Sequence, residues 1–476
     1  MCPDEITAEN GIEIESEAAG QPEEEVNNGV HNYSREDEWI RPDDPLILER
    51  LEWFQDQKLG LMMHWGPYSQ IGVVESWALS DDDAYWSRGG IDWTEDGQEF
   101  QREYFDLNKT FNPIRFQPEL WADMAAEGGF KYLIFTTKHH DGFCMWDTHQ
   151  TEYKITGKDC PFHTHQYADV CKNLFDAFRS RGLAIAAYFS KADWNTPYYW
   201  APGMERGRNM WRGPSYDPKK YPWLWNQFVQ FTHDQILELM TRYGRIDILW
   251  LDAGWVAAKN QQDIQIEKIV EDARKYQPWL LAADRTVGGV CENYITPEQM
   301  IPEQPIRVPW ESNITIGGSF SFCYDDHYKS ARTLAHMLID VISKGGNLAL
   351  NIGPQPDGRI PMGAIQSIRE LGQWLKVYGE AVYGTRICAP YRKDRFAFTC
   401  KKEIKYAFCL YDDENSPVEE KLFIPYTEKR ISRIDLVGGR ESLEFHQEPR
   451  GISVTLPVSE AAAPAPIAHV FRMFSE

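Results

Sequence analysis

The stretch PELWADMAAEGGFKYLIFTTKHHDGF, residues 118–143, contains one complete helix–strand unit and its polar end. A proline at its start and apolar residues three or four positions apart predict an amphipathic helix that ends at the glycine pair 128–129. The run 132–137 is apolar or β-branched on both faces, which indicates a strand buried on both sides. A helix followed by such a strand is the repeating unit of a parallel sheet, so KHHDG falls where the strand ends.

Six further apolar runs of strand length lie between residues 45 and 385, with helix-period segments between them. These runs are 59–65, 183–190, 246–252, 280–284, 306–311 and 347–352. Seven or eight such units over roughly 340 residues suit a closed barrel better than an open sheet. We therefore predict an α/β fold, a (β/α)8-like barrel, and we expect its remaining strand between residues 312 and 326.

The pattern changes after residue 385, where helix periodicity stops and short alternating runs begin. These runs are 395–400, 403–411, 421–425, 432–437, 451–456 and 469–473, and charged turns separate them. Alternation with a period of two and frequent turns predicts antiparallel strands. We therefore expect a catalytic barrel over 45–385, followed by a C-terminal antiparallel β-sandwich over 386–476.

Residues 1–44 differ from the rest in charge, with 14 acidic residues against two arginines. So acidic a segment with few large apolar side chains predicts a disordered tether. Because no secretory hydrophobic core follows Met1, either the protein is cytoplasmic or a signal was removed. Cys2 followed by small and acidic residues resembles the start of a mature bacterial lipoprotein. We expect a secreted, periplasmic or lipid-anchored bacterial protein rather than a cytoplasmic one.

The composition argues against several classes of protein. The 476-residue chain has a formal net charge of −23, which would repel nucleic acid and anionic membrane surfaces. No apolar run reaches the ~18–20 residues of a membrane span. The nine cysteines show neither CxxC pairs nor ligand-like spacing, and no GxGxxG or Walker loop is present. The 18 tryptophans fit a sugar site or a large aromatic core equally well.

Polar and aromatic residues end six of the predicted strands. They are His64, the block 138–142, Tyr188 with Ser190, Trp250 with Asp252, Asp284 with Arg285, and Trp310 with Glu311. Reactive side chains of a barrel lie at the carboxyl ends of its strands, so these residues predict one shared site. A buried carboxylate such as Asp252 is costly unless it is hydrogen-bonded and used. Glycoside hydrolysis needs such a group together with a second, protonated carboxyl group.

The histidines permit a metal site but do not favour one. Adjacent residues of a strand point to opposite faces, so we expect His139 and His140 not to share an ion. The pair His163 and His165 lies outside any recognisable ligand set. Neutral imidazoles that bind sugar hydroxyls fit this pattern better, and we predict neither a metal nor a cofactor.

Four segments resemble the α-L-fucosidases of glycoside hydrolase family 29. They are LGLMMHWGPYS (59–69), the segment 111–148 that contains KHHDGF, LWLDAGW (249–255) and NLALNIGPQPDGRIP (347–361). The resemblance implies a barrel followed by a β-sandwich and a reaction with retention of configuration. It makes Asp252 the nucleophile. It also implies that the sugar is bound by His64, Glu75, Trp77, His139, His140, Tyr188, Trp250 and Arg285, with one residue inserted between Glu75 and Trp77.

The resemblance does not identify the acid/base residue uniquely, because this residue does not occur in one fixed sequence motif throughout the family. Trp310-Glu311 resembles a Trp-Glu motif that supplies it in many members, so Glu311 is our first candidate. Glu298 is its rival, and Glu292 and Glu303 are further candidates. Whichever residue acts needs a pKa raised by burial or by a neighbouring carboxylate, so that it holds a proton.

These observations predict a retaining exo-glycosidase that releases terminal α-L-fucose from oligosaccharides or glycans. One alternative is an α-L-galactosidase on the same scaffold, because L-galactose is L-fucose with an added 6-hydroxyl group. Another is a carbohydrate-binding surface protein on an inactive scaffold, and a third is transglycosylation. The long aromatic loop 194–225 is interpreted as a platform for further sugars, or else as a cover of the barrel rim.

Overall fold

Seven strands form one parallel sheet in the order β5-β4-β3-β2-β1-β7-β6. The computed structural model describes residues 33–80, 87–88, 91, 93–94, 96–203, 212–439 and 442–476. The seven strands are β1 (Leu59–Met63), β2 (Tyr132–Lys138), β3 (Ala184–Ser190), β4 (Ile248–Asp252), β5 (Leu281–Asp284), β6 (Glu311–Thr315) and β7 (Asn347–Ile352). This curled parallel sheet confirms the predicted α/β barrel class.

Helices follow or precede these strands along the chain. The longer ones are Pro45–Gln57, Gly97–Phe105, Pro118–Glu127, Val170–Ser180, Pro222–Arg242, Ile266–Arg274, Ala331–Ser343 and Met362–Tyr378. Side-chain caps define several of their starts. Asp169 accepts a hydrogen bond from the backbone N–H of Lys172, and Ser330 accepts one from Thr333. Such caps satisfy backbone donors that the first helical turn leaves unpaired.

Alternate strand residues point into the barrel and fill its amino-terminal half. Ile134, Ile248 and Leu281 form part of this inner cluster. The helix Pro45–Gln57 adds Ile47 and Phe54 to the same cluster, which places this helix at the base of the barrel. Full burial of each large apolar side chain stabilises the fold by about 1.5–3 kcal/mol. The base is therefore packed with apolar groups, and the polar strand-end residues gather at the opposite mouth.

The sixth strand corrects the sequence prediction. The strand expected at 306–311 instead begins at Glu311, which pairs with Asn347, the first residue of β7. No regular eighth strand joins this sheet among the described residues, either at 312–326 or elsewhere. Its place between β5 and β6 is taken by residues 292–299, which we call the connecting segment. This segment contacts β5 through the Ala283–Glu292 bridge and β6 through the Glu298–Asn313 bridge.

Residues 33–44 lie against the barrel, which corrects the tether prediction for this part of the chain. The Ser34 hydroxyl donates to the Glu292 carboxyl group, and the Trp39 indole N–H donates to the Asn293 carbonyl at 3.0 Å. The N–H of Gly289 donates to the carbonyl of Glu38. Residues 1–32, including Cys2, lie outside the described residues. The described N-terminal residues thus brace the connecting segment from outside.

Two antiparallel sheets follow the barrel, as predicted. One has the order β12-β15-β10-β9-β8 and the other β11-β14-β13. Their strands are β8 (Arg392–Lys393), β9 (Phe396–Lys401), β10 (Ile404–Leu410), β11 (Lys421–Ile424), β12 (Ile431–Leu436), β13 (Phe445–Glu448), β14 (Gly451–Thr455) and β15 (Ala468–Ser475). Side chains of both sheets share one buried apolar cluster. In the described part of the chain, no helix combines the length and apolar character that a membrane crossing requires.

Candidate active site

A cavity at the mouth of the barrel collects most of the predicted site residues. Its lining includes Asp252, Glu298, His64, Glu75, Trp77, His139, His140, Tyr188, Trp250 and Arg285. Since these residues come from positions between 64 and 298, the fold brings them together from distant parts of the chain. Glu311, the first candidate for the acid/base, is not part of the lining.

Asp252 is the last residue of β4, and its carboxylate is held from two sides. Its Oδ2 accepts a hydrogen bond from the Tyr188 hydroxyl at 2.5 Å, and its Oδ1 accepts one from Arg285 Nη1 at 3.1 Å. Burial alone would raise the pKa of Asp252, but the charge of Arg285 and the hydrogen bond from Tyr188 hold it well below its ordinary value. Asp252 is therefore ionised and fixed in direction.

Glu298 reaches the same guanidinium from the connecting segment. Arg285 Nη2 forms an ion pair with Glu298 Oε2, while Nη1 of the same group binds Asp252. The next residue, Gln299, has a positive φ of 53°. The side chain of Gln299 accepts a hydrogen bond from the backbone N–H of Thr315 in β6. This anchored turn holds Glu298 toward the cavity, although the segment that carries it is not a regular strand.

Glu311 lies below the cavity, which corrects its predicted position. The Tyr132 hydroxyl donates to one of its oxygens, and the Trp250 indole N–H donates to the other at 3.3 Å. Burial raises the pKa of Glu311 to about 7 despite these two donors. Since the strand begins at Glu311 instead of ending there, its side chain supports the underside of Trp250. Glu292, bound to Ser34, and the exposed Glu303 are not part of the lining either.

Three buried histidines project into the cavity side by side. The rings of His139 and His140 have centroids only 4.0 Å apart, so these residues do not point to opposite faces as predicted. The reason is that β2 ends at Lys138, after a register shift against β3, and the chain then turns. Burial lowers the pKa of His64 to about 4 and that of His140 to about 3, and it also lowers that of His139. All three imidazoles are neutral near pH 7.

Acid is expected to weaken the fold through these histidines. In the unfolded chain His64 would bind a proton near its ordinary pKa of 6.5, whereas in the folded chain it binds one only near pH 4. The unfolded state therefore binds more protons between these values. As a result, the free energy of unfolding decreases as the pH falls from 6.5 to 4, by about 3 kcal/mol from His64 alone.

The midpoint of thermal unfolding, followed from pH 6.5 to 4, measures this effect. The decrease should be smaller in His64→Gln than in the wild type. His149 is exposed, so His149→Gln serves as the control and should keep the wild-type decrease. Equal decreases in the wild type and in His64→Gln would contradict the expected linkage.

His139, His140 and Asp252 are also the described residues that could hold a metal ion, since one ligand atom of each lies within 4.8 Å of the others. Asp252, however, already binds Arg285 and Tyr188 through its two oxygens. A cationic guanidinium on the carboxylate competes with a metal ion for the same charge. The arrangement therefore fits a site for neutral hydroxyl groups better than a metal centre.

Glu75 and Trp77 lie on a short 3-10 helix, Glu75–Leu79, that forms part of the cavity wall. Glu75 adopts a positive φ of 38°, and the Ser321 hydroxyl accepts a hydrogen bond from its backbone N–H. Burial, followed by the charge of Glu298, raises the pKa of Glu75 well above its ordinary value. A protonated Glu75 can donate a hydrogen bond to a sugar hydroxyl.

In the described part of the loop 194–225, Trp223 is 61% exposed, but other aromatic rings are buried and cannot serve as a platform. Trp194 and Tyr199 are buried, and residues 204–211 lie outside the described residues. The indole N–H groups of Trp194 and Trp255 donate to the carbonyl oxygen of Arg212, and the Tyr199 hydroxyl lies 3.1 Å from the same oxygen. The guanidinium of Arg212 lies 5.4 Å from the ring centroids of both Trp77 and Trp255. The buried rings thus hold Arg212 at the cavity wall, a contribution that the sequence did not reveal.

Hydrolysis of a sugar acetal needs an ionised carboxylate on one side of the anomeric carbon and a proton donor within reach on the other. At the mouth of this barrel, Asp252 and Glu298 both form ion pairs with the guanidinium of Arg285. The fold and this pair of carboxyl groups are together typical of a glycoside hydrolase. Residues 37–380 match the model of the Alpha-L-fucosidase family. The chain belongs to this family, as its motifs predicted, and the predicted class of retaining fucosidase is confirmed at the family level.

Individual relatives agree with this assignment. The plasma alpha-L-fucosidase of Rattus norvegicus is 27% identical over 434 residues, covering 85% of this chain and 87% of the relative. The tissue alpha-L-fucosidase of Homo sapiens is 26% identical and covers 88% of each chain. Among solved structures, alpha-L-fucosidase isoenzyme 1 from Paenibacillus thiaminolyticus is 26% identical, with a TM-score of 0.74. That match covers 90% of this chain and all of the other.

Proposed function

We propose that this protein releases terminal α-L-fucose from oligosaccharides or glycans in two displacement steps, with Asp252 as nucleophile and Glu298 as acid/base. The observation that carries this proposal is the ion pairing of both carboxylates with the single guanidinium of Arg285. Carboxyl groups of retaining glycosidases lie about 5–5.5 Å apart, whereas those of inverting enzymes lie about 6.5–9.5 Å apart. Two carboxylates held by one planar group fit the shorter separation.

The first step forms a covalent intermediate. Glu298 first takes up a proton from solvent, while Asp252 stays ionised beside Arg285. Asp252 then attacks the anomeric carbon and the glycosidic C–O bond breaks, while Glu298 gives this proton to the departing oxygen. In the second step Glu298 takes a proton from water, the water oxygen attacks the same carbon, and the bond to Asp252 breaks. Arg285 keeps Asp252 ionised and directed during both steps. A complete pair of carboxylates favours an enzyme over a binding protein on an inactive scaffold.

The product configuration tests this mechanism directly. Proton NMR of a reaction with 4-nitrophenyl α-L-fucoside should show α-L-fucose first, and the β anomer should appear only as the free sugar equilibrates. Initial formation of β-L-fucose would contradict a double displacement. Failure of the wild type to release nitrophenol would contradict the proposed activity itself.

The cavity favours L-fucose over L-galactose. Its lining includes the apolar side chains of Met62, Val74 and Phe320, which suit a methyl group better than a hydroxymethyl group. Apolar pockets reject an added hydroxyl only moderately. We therefore expect kcat/KM for 4-nitrophenyl α-L-fucoside to exceed that for the α-L-galactoside by about 10- to 100-fold.

This ratio is obtained by measuring both substrates side by side. Since the leaving group is the same in both, their difference reports only the sugar pocket. A ratio at or below one would favour the α-L-galactosidase alternative. Oligosaccharide products at high acceptor concentration would instead show transglycosylation.

We also propose a location outside the cytoplasm, in the periplasm, at the cell surface or in the medium. One relative is named as a plasma protein, and glycan substrates of the proposed kind occur outside cells. Fractionation of the producing cells should place the fucosidase activity outside the cytoplasmic fraction. Activity confined to the cytoplasm would contradict this proposal.

A further inference from the structure

Each of the three cavity histidines has a protein partner at Nδ1. In each ring this partner determines whether Nδ1 or Nε2 carries the hydrogen. His64 Nδ1 lies 2.7 Å from Asn351 Oδ1. The amide nitrogen of Asn351 donates to the carbonyl of Phe320 at 2.6 Å, which fixes the orientation of the amide. Because Oδ1 can only accept, His64 must donate from Nδ1. Its Nε2 is therefore a bare acceptor.

Ser190 imposes the same form on His140. The Ser190 hydroxyl donates to the carbonyl of Ala192 at 2.8 Å, so its single hydrogen is already used. Its oxygen lies 2.7 Å from His140 Nδ1 and can only accept a hydrogen bond from it. His140 Nε2 is then an acceptor, 3.9 Å from Asp252 Oδ2.

Ser76 has the opposite effect on His139. Its hydroxyl oxygen accepts a hydrogen bond from the backbone N–H of Asp141 at 3.0 Å and lies 2.6 Å from His139 Nδ1. Within the described part of the chain, the hydrogen bonds of Ser76 offer its hydroxyl hydrogen no acceptor other than this nitrogen. The hydroxyl therefore donates to Nδ1, and His139 carries its hydrogen on Nε2.

We propose that Ser76 is a positioning residue that makes His139 a hydrogen-bond donor beside the two acceptors His64 and His140. Ser76 lies between Glu75 and Trp77, which both line the cavity. The inference rests on the proposed function in one respect, because it takes the sugar to lie against these three Nε2 atoms.

The consequence is a directional site for hydroxyl groups. The rings of His139 and His140 are neighbours, and one Nε2 donates while the other accepts. A sugar hydroxyl can accept from His139 and donate to His140 at once, but only in that direction. If His139 carried its hydrogen on Nδ1, three lone pairs would face the sugar and one buried hydrogen bond would be lost. A loss of this kind lowers affinity by about 10- to 100-fold.

Kinetics of position 76 variants test the proposal. Ser76→Ala removes the hydroxyl and should raise KM for 4-nitrophenyl α-L-fucoside, and the inhibition constant of L-fucose, by about 10- to 100-fold. The effect on kcat should be smaller, because the sugar is bound before and during the reaction. Ser76→Thr keeps the hydroxyl and should restore most of the affinity.

A matched control comes from the end of the same short helix. The Ser80 hydroxyl is also buried but donates only to the backbone carbonyl of Trp77, at 2.8 Å. Ser80→Ala should therefore leave KM within about threefold of the wild type. Thermal unfolding of each variant separates loss of the fold from loss of affinity. A folded Ser76→Ala protein with wild-type KM would overturn the proposal.

Neutron diffraction from a deuterated wild-type crystal shows directly which nitrogen of each histidine carries hydrogen, without any variant. The proposal expects deuterium on Nε2 of His139 and on Nδ1 of both His64 and His140. Deuterium on Nδ1 of His139 would overturn it, even if the protein remains an active fucosidase. Conversely, an inactive wild type with the expected deuterium positions would contradict the proposed function and leave the assignment at Ser76 supported.

Discussion

Replacement of Asp252 by alanine is expected to lower kcat on 4-nitrophenyl α-L-fucoside on the order of 10⁴-fold, because no other group can form the covalent intermediate. The carboxylate ends β4, is ionised, and is directed by Tyr188 and Arg285. Its removal leaves Arg285 paired with Glu298, so the guanidinium is not left without a counter-charge. The variant should therefore fold, with a midpoint of thermal unfolding close to that of the wild type.

Added azide distinguishes a missing nucleophile from a damaged pocket. A small anion can enter the space left by the Asp252 carboxylate and attack the anomeric carbon from the same side. It should partly restore release of nitrophenol and yield β-L-fucosyl azide, which has the inverted configuration. Near-normal turnover of Asp252→Ala without azide would remove Asp252 from this role.

The second large effect is expected at Glu298 and not at Glu311. Glu298→Gln removes the transferable proton and should lower kcat/KM on natural fucosides by about 10²–10⁴-fold. Substrates with very acidic leaving groups need little protonation, so their bond cleavage should be affected much less. The matched variant Glu311→Gln keeps an acceptor for the Trp250 indole N–H and should stay within a few-fold of the wild type.

The pair of variants is decisive because the two glutamates were rival candidates. Each variant is assayed on a fucosylated oligosaccharide and on 2,4-dinitrophenyl α-L-fucoside. If Glu311→Gln lost activity while Glu298→Gln kept it, the assignment of the acid/base would be reversed. If both variants lost activity but kept wild-type thermal stability, Glu311 and its hydrogen bond with Trp250 would also contribute to catalysis.

Strand periodicity was sufficient to predict where Asp252, the proposed nucleophile, lies. The run 246–252 ends at Asp252, and alternation along β4 places Trp250 and Asp252 on the inner face. The same reasoning located His64, which directly follows β1, and Tyr188, which lies two residues before the end of β3. In a regular strand the position of a residue determines the face to which its side chain points, so the site residues on strands could be predicted.

Glu298, the proposed acid/base, could not be located in this way. The run 306–311 contains Ile306, Val308 and Trp310, but it also contains Pro309, which cannot donate a ladder hydrogen bond, and the strand starts after this proline. That shift moves Glu311 from the carboxyl end of a strand to its amino end. Glu298 lies on the connecting segment, whose path depends on Gln299 and on contacts with both neighbouring strands. No periodic pattern predicts such a path.

The position of Glu298 on the connecting segment affects how the site can change during evolution. Four backbone hydrogen bonds join residues 295–299 of this segment to residues 309–313, but the segment is reached from β5 through the turns of residues 285–291. Residues can therefore be gained or lost in these turns while both strands keep their register. Asp252 has no such freedom, because an insertion in β4 would reverse the facing of every residue after it. Homologous chains can therefore carry the proton donor at unequal sequence distances from Arg285, and alignments should be anchored on the nucleophile. Libraries that vary loop length to accept bulkier leaving groups are best built at this point of the barrel.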